Sequence, residues 1–157
     1  MGLPEIFISF QTAAVSAITR SARGVLAVAV KDATAGGVAE AAYKSLAEVP
    51  EDKFSPENYR LLKLAFLAAP TKVWVLRVGE DAEKTYQALE RLRFDWLAAP
   101  GLEDAKVMSF IKTLRNGGRG VKAVVANATA PECEGIVNLC ATGLTLDDGA
   151  IDAGDYT

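Results

Sequence analysis

Histidine is absent from this 157-residue chain. Its absence removes the commonest general base near neutral pH and every Ser-His or Cys-His nucleophile pair. Carboxylate, lysine or cofactor chemistry stays open. Cysteine is scarce: Cys133 and Cys140 are the only two, and two thiols without a histidine make a poor metal site. The opening "MGLPEIFISF" lacks the basic region and long apolar core of a secretory leader, so the thiols are read as reduced and partly buried. No apolar run approaches the length of a membrane span. An excess of basic charge is also missing. Lys and Arg number 17 against 20 Asp and Glu, for a net charge of −3, which argues against a whole-chain grip on nucleic acid.

What is present is an ordinary globular composition, 50% hydrophobic and 24% charged, long enough to bury a core without covalent staples. The charge is uneven. Arg20, Arg23 and Lys31 face only Glu5 in residues 1–31, whereas Asp147, Asp148, Asp152 and Asp155 have no base near them. Such a polarity suits contacts between copies, but solvated termini are the more common reason for it.

The first segment alternates: Ile6, Ile8 and Phe10 are interleaved with Glu5, Phe7, Ser9 and Gln11. A period of two predicts a strand with two unlike faces. No Asn-Gly or Asp-Gly turn follows it. Its partner therefore lies elsewhere, either in the same domain or in another chain. The stretch "AAVSAITRSARG" reads as a linker, and the near-continuous apolar run in "GVLAVAVKD" predicts a strand covered on both faces. The long 31–54 connection is expected to carry an embellishment, with a short strand or turn near Tyr43 to Leu46.

From Ser55 the pattern becomes regular. Ser55 is a fit N-cap, Pro56 suits the first helical position, and Tyr59, Leu62 and Phe66 share one face before Pro70. A strand from Val73 to Val78 follows. A helix with Ala82, Tyr86, Leu89 and Leu92 on one stripe comes next, then a short strand in "FDWLAAPG". A third helix directs Val107, Phe110, Ile111 and Leu114 inward, and Gly117 is read as its left-handed stop. A strand centred on Ala123 to Val125 precedes two short strands, around Ile136–Cys140 and Gly143–Leu146. Strands alternating with helices predict an α/β fold, a mostly parallel or mixed sheet flanked by helices, with an extended N-terminal β arm.

Ligands of open α/β sheets bind beyond the carboxyl ends of the strands. Asp32 and Asp81 stand there, but a turn explains the first and helix capping the second. "NGGRG" follows a helix and precedes a strand, the reverse of a phosphate cradle. No Walker or GxGxxG motif occurs. Trp74 and Trp96 are assigned to core packing, since a stacking platform requires exposure and basic neighbours. No catalytic, cofactor-binding or metal-ligating residues are nominated. The βα alternation alone leaves open a flavodoxin-like or Rossmann-like small-ligand-binding domain or enzyme.

The ordered series of segments resembles a known family. "GLPEIFISFQT", the stretch Ile18-Thr19-Arg20-Ser21-Ala22-Arg23-Gly24, "YKSLAEVP", "NYRLLKLAFLAAPTKVWVLRV", "FDWLAAPG" and "VKAVVANATAPECEGIVNL" are similar to pieces of contractile tail sheath proteins of Gram-positive phages, prophages and phage-tail-like bacteriocins. Each piece is weak alone, but together they span nearly the whole chain. Sheath proteins of this kind continue well past the region resembled here. The resemblance therefore implies an arm and linker over 1–23 and an α/β sheath domain over 24–157 that is incomplete at its C-terminal end.

The resemblance implies a non-enzymatic structural subunit that assembles helically around a tail tube and drives the tube's ejection by contraction. Ile6, Phe7, Ile8 and Phe10 would form the arm that adds a strand to a neighbour's sheet. Ala13, Ser16, Arg20, Ser21 and Arg23 would form the hinge. The implied partners are other sheath subunits, the tail tube through the missing C-terminal region, and baseplate and tail-terminator proteins. No cofactor, nucleic acid or membrane is implied, and the location is the virion tail, assembled in the host cytoplasm.

Overall fold

The computed structural model describes residues 24–34, 36–37, 39–126 and 133–140, with the backbone of 145–146 and 149–150. The arm residues Ile6, Phe7, Ile8 and Phe10 and the hinge residues Ala13, Ser16, Arg20, Ser21 and Arg23 lie outside the described residues.

The body is a mixed six-stranded sheet flanked by three helices. Strand β1 (Val25–Val30) runs parallel to β3 (Lys72–Arg77) on one side and to β4 (Trp96–Ala98) on the other. Outward from β4 lie β5 (Lys122–Ala126) and β6 (Ile136–Leu139), both parallel. The short strand β2 (Glu40–Tyr43) pairs antiparallel with β3 and forms the opposite edge, so the spatial order is β2-β3-β1-β4-β5-β6. The 31–54 connection thus carries the expected embellishment: β2 and two single turns of 3-10 helix, Leu46–Glu48 and Glu51–Lys53.

Central position explains the apolar run of β1. Ala27, Val28, Ala29 and Val30 are all buried, alternately on the two faces. Helix α1 (Pro56–Leu67) covers one face, with Leu62 packed among Val28, Val30, Val73 and Val75 and flanked by Tyr59 and Phe66. Helices α2 (Ala82–Arg91) and α3 (Asp104–Asn116) cover the other. There Leu89, Val107, Ile111 and Leu114 meet Ala27, Ala29, Leu97 and Ala123. Phe110 is half-buried and its ring lies 5.1 Å from that of Tyr86. Among the described residues no helix is long and apolar enough to cross a membrane.

Some local expectations need correction. The left-handed residue after α3 is Gly118 (φ 84), not Gly117 (φ −77). The Gly118 N–H donates to the Arg115 carbonyl at 2.9 Å and the Arg119 N–H reaches the Leu114 carbonyl at 3.1 Å. Those paired bonds are the Schellman arrangement, which puts the positive φ one residue beyond the cap. Strand β7 (Thr145–Leu146) pairs with β8 (Gly149–Ala150) in a separate two-stranded ribbon, whereas β6 joins the main sheet beside β5. Cys133 is partly buried as expected, but Cys140 is exposed; both are free thiols. Trp74 and Trp96 are only partly buried, and each has a lysine over its ring, Lys72 at 5.0 Å and Lys122 at 5.1 Å. Both lysines are strand-start residues whose apolar stems lie along the sheet beside the neighbouring indole.

Candidate functional site

Ignoring antiparallel β2, the parallel strands run in the doubly wound order of flavodoxin-like sheets. Their switch point lies between β1 and β4. A small-ligand site belongs there, beyond Val30 and Ala98. The backbone fills that place. The Gly101 N–H donates to the Ala29 carbonyl at 3.0 Å, and the Val78 N–H donates to the Val30 carbonyl at 2.8 Å. Gly101 sits so close that a Cβ on it would come within 2.8 Å of the Lys31 nitrogen and 2.9 Å of the Val30 carbonyl carbon. Glycine is required for this approach. The neighbouring recess beyond β4 and β5 is lined by Ala99, Leu102, Val107 and Val125 together with Glu103 and Asp104. A phosphate there would meet two carboxylates where a phosphate-binding helix start offers free amides. Burial pushes the Asp104 carboxyl above its ordinary value.

Asp32, the other sequence candidate, is consumed structurally. Its carboxylate accepts from the Thr34 N–H at 2.8 Å, the Ser55 N–H at 2.9 Å and the Asn58 Nδ2 at 2.8 Å. Burial pushes the carboxyl up, but these bonds, with a further one from the Thr34 side chain, outweigh it and hold Asp32 well below the usual carboxylate range. Asn58 also donates to the Lys31 carbonyl at 2.8 Å, and Arg77 donates to the Asp32 and Thr34 carbonyls. The group is a latch tying the end of β1 to the start of α1 and the end of β3. Asp81 caps α2 by accepting from the Glu83 N–H at 3.1 Å, as expected. Among the described residues no cluster of three or more potential metal ligands occurs.

The opposite, amino end of the sheet is more open. Gly24, the first described residue, lies here. Gly24 has φ 117, and its N–H and that of Val25 both donate to Asp95 Oδ2, at 2.7 and 2.9 Å. The Asp95 backbone continues the clamp, its N–H reaching the Val25 carbonyl at 2.8 Å and its carbonyl accepting from Lys122 at 2.9 Å. Beside this clamp lies an open recess of about 950 Å³, walled by Gly24, the 90–96 segment and the 119–122 segment. Arg119 closes its floor: it donates to the Glu90 and Leu92 carbonyls and stacks over Phe94 at 5.2 Å. These are the orphan carbonyls of the α2 terminus, where a cation is favoured.

Asp95, Asn58, Arg77 and Gly101 escaped the sequence reading because their roles depend on partners far along the chain. The one visible signal was the aspartate in "FDW", a charged residue at the mouth of an apolar strand.

No family model matches the chain. The chain is 31% identical, over 99% of its length, to the tail sheath protein of Clostridium phage phiCD119, and the match covers 46% of that protein. Its fold is similar to the sheath tail protein of Desulfitobacterium hafniense, with a TM-score of 0.69 at 12% identity over 96% of this chain and 60% of that one. The sheath tail protein of Listeria innocua gives 0.67 at 15% identity over 85% of this chain and 54% of that one. The chain therefore spans about half the length of the relatives it matches.

Proposed function

This chain is a relative of phage tail sheath proteins, and we propose that it serves as part of a structural sheath subunit rather than as an enzyme. The similarity to a curated tail sheath protein over 99% of the chain carries the reading. The filled switch point supports it, because the one place where this sheet order accommodates a nucleotide or flavin is occupied by the backbone at Gly101.

In this reading residues 1–23 are an arm and linker, and 24–157 belong to the α/β body. Ile6, Phe7, Ile8 and Phe10 add a strand to a neighbouring subunit's sheet. Strand addition takes its affinity from main-chain hydrogen bonds and its specificity from alternate side chains. Ala13, Ser16, Arg20, Ser21 and Arg23 provide the tether that lets bodies rotate while the pairing holds. A heterologous contact repeated from copy to copy generates an open helix, here a sheath around a tail tube whose contraction drives the tube forward. The partners are other sheath subunits, then tube, baseplate and tail-terminator proteins, and the location is the virion tail.

The Asp95 clamp suits this role. A pull on the arm arrives at Gly24, where two N–H groups are held by one carboxylate that is itself built into the sheet. The test is electron microscopy of the intact protein. Hollow helical sheaths are expected, and a dispersed monomer with saturable stabilisation by nucleotides or flavins would replace this reading with a ligand-binding one.

A further inference from the structure

We propose that the recess at the amino end of the sheet is a docking surface for the acidic 147–155 segment of a second copy of this chain. The proposal rests on the assembly reading and names a second surface through which copies meet.

The recess carries positive charge in a chain that is negative overall. Arg91, Arg93, Arg119 and Lys122 line it against Glu90 and Asp95, and the whole chain has a net charge of −3. Even with Glu90 and Asp95 counted, the four basic residues outnumber the two acidic ones, and the Asp95 carboxylate is held toward the strand start by the Gly24 and Val25 N–H groups. Arg119 is committed to the α2 carbonyls. Arg91 and Arg93 are exposed and have no ion-pair partner among the described residues. Lys122 is exposed, and its ammonium rests over the half-exposed Trp96 ring. The wall therefore offers an aromatic face beside loosely held cations. A peptide segment with carboxylates and small apolar residues fits that chemistry.

The chain itself contains the complement. After Lys122 no lysine or arginine occurs, and Asp147, Asp148, Asp152 and Asp155 alternate with Gly, Ala and Ile. A second copy is favoured over a nucleic acid because the overall negative charge opposes a long polyanion. Recess and segment are different surfaces. Each docked copy thus leaves one of each unused, and the contact propagates as an open assembly needs.

A charge swap in the intact protein tests the proposal. One variant carries Arg93→Glu and Lys122→Glu, and the other carries Asp152→Lys and Asp155→Lys. Circular dichroism confirms folding, with Arg93→Gln and Lys122→Gln as the milder replacement where the reversal disturbs the fold. Association is read by sedimentation velocity. Each variant alone should associate about tenfold more weakly than wild type at low salt, with the difference shrinking as the Debye length falls to about 3 Å near 1 M salt. An equimolar mixture of the two reversals should recover association, because each supplies the other's complement. Unchanged association of either variant alone overturns the proposal. So does a mixture no stronger than its components, the result expected if the segment serves its own chain. Variants that associate as strongly as wild type while sheaths still form refute this surface and spare the sheath reading; a wild type that never associates refutes both.

Discussion

Asp95 and Gly24 are 71 residues apart in sequence, yet the Asp95 carboxylate accepts from the Gly24 N–H at 2.7 Å and from the Val25 N–H at 2.9 Å. One side chain thus holds the point at which the central strand begins. Replacing it leaves two partly buried donors without their acceptor, and a lost charged acceptor costs about 1–3 kcal/mol. Asp95→Ala should lower stability by that amount in urea unfolding. It should also speed amide exchange at Gly24 and Val25 more than at Leu97. Asp95→Asn, which keeps one acceptor, should lie between.

Gly101 closes the switch point, and a Cβ there meets main-chain atoms at 2.8 and 2.9 Å that no rotamer change relieves. Overpacking of this kind costs about 1–3 kcal/mol. Gly101→Ala should therefore be clearly destabilising. Gly79→Ala, where nothing lies within 4 Å of the added carbon, should change the melting temperature little. Equal effects from the two would contradict the closed-crevice description.

Tyr86 is buried, and its hydroxyl has no hydrogen-bond partner among the described residues. Burial, followed by the charges of Glu103, Glu83 and Asp104, pushes this phenol up to about 12. Tyr86→Phe removes an unsatisfied polar group and should be neutral or stabilising by up to about 1 kcal/mol. The pH dependence has a definite sign. Between about pH 10 and 12 the unfolded chain loses the proton and the folded chain keeps it, so stability falls as pH rises through this window. That contribution to the fall should be missing in Tyr86→Phe, as followed by chemical denaturation across the window.

Asp32 behaves in the opposite direction. Burial opposes its charge, but the bonds from Thr34, Ser55 and Asn58 outweigh burial and hold its carboxyl below the usual range. The folded state therefore binds this proton less readily than the unfolded one. The stability it contributes is fully present above the unfolded value of about 4 and is lost as pH falls towards the folded value. Asp32→Asn should be less stable than wild type at pH 7, and the gap should narrow on acidification. A constant gap would mean that the latch does not depend on charge.

Much of this body was legible from local pattern. The β1 run announced a strand covered on both faces, and Ser55-Pro56 announced the start of α1, where the Ser55 Oγ accepts from the Asn58 N–H at 3.3 Å. Leu62, Leu89, Ile111 and Leu114 fell on the buried stripes expected of them. What escaped was non-local. Met108 is buried beside Val107 because α3 lies broadly against the sheet. The partners of β6 and β7 were invisible because a period of two names a strand but not its neighbour. Nor could periodicity place Trp74 and Trp96 half in solvent, since a strand residue's exposure depends on whether a helix lies over it. The resemblance of the ordered segments reached the sheath relatives, whereas composition and spacing alone reached an α/β fold with no chemistry in view.

The most direct measurement concerns the arm and the assembly it is proposed to connect. Proline at a paired strand position removes a ladder donor, so Ile8→Pro in the intact protein should leave the body folded, with unchanged unfolding of the β1 core. It should sharply reduce helical sheaths counted by negative-stain electron microscopy. Wild-type protein forming hollow sheaths while Ile8→Pro yields dispersed, folded subunits is the predicted result. Sheaths of normal length and number from Ile8→Pro would contradict the account.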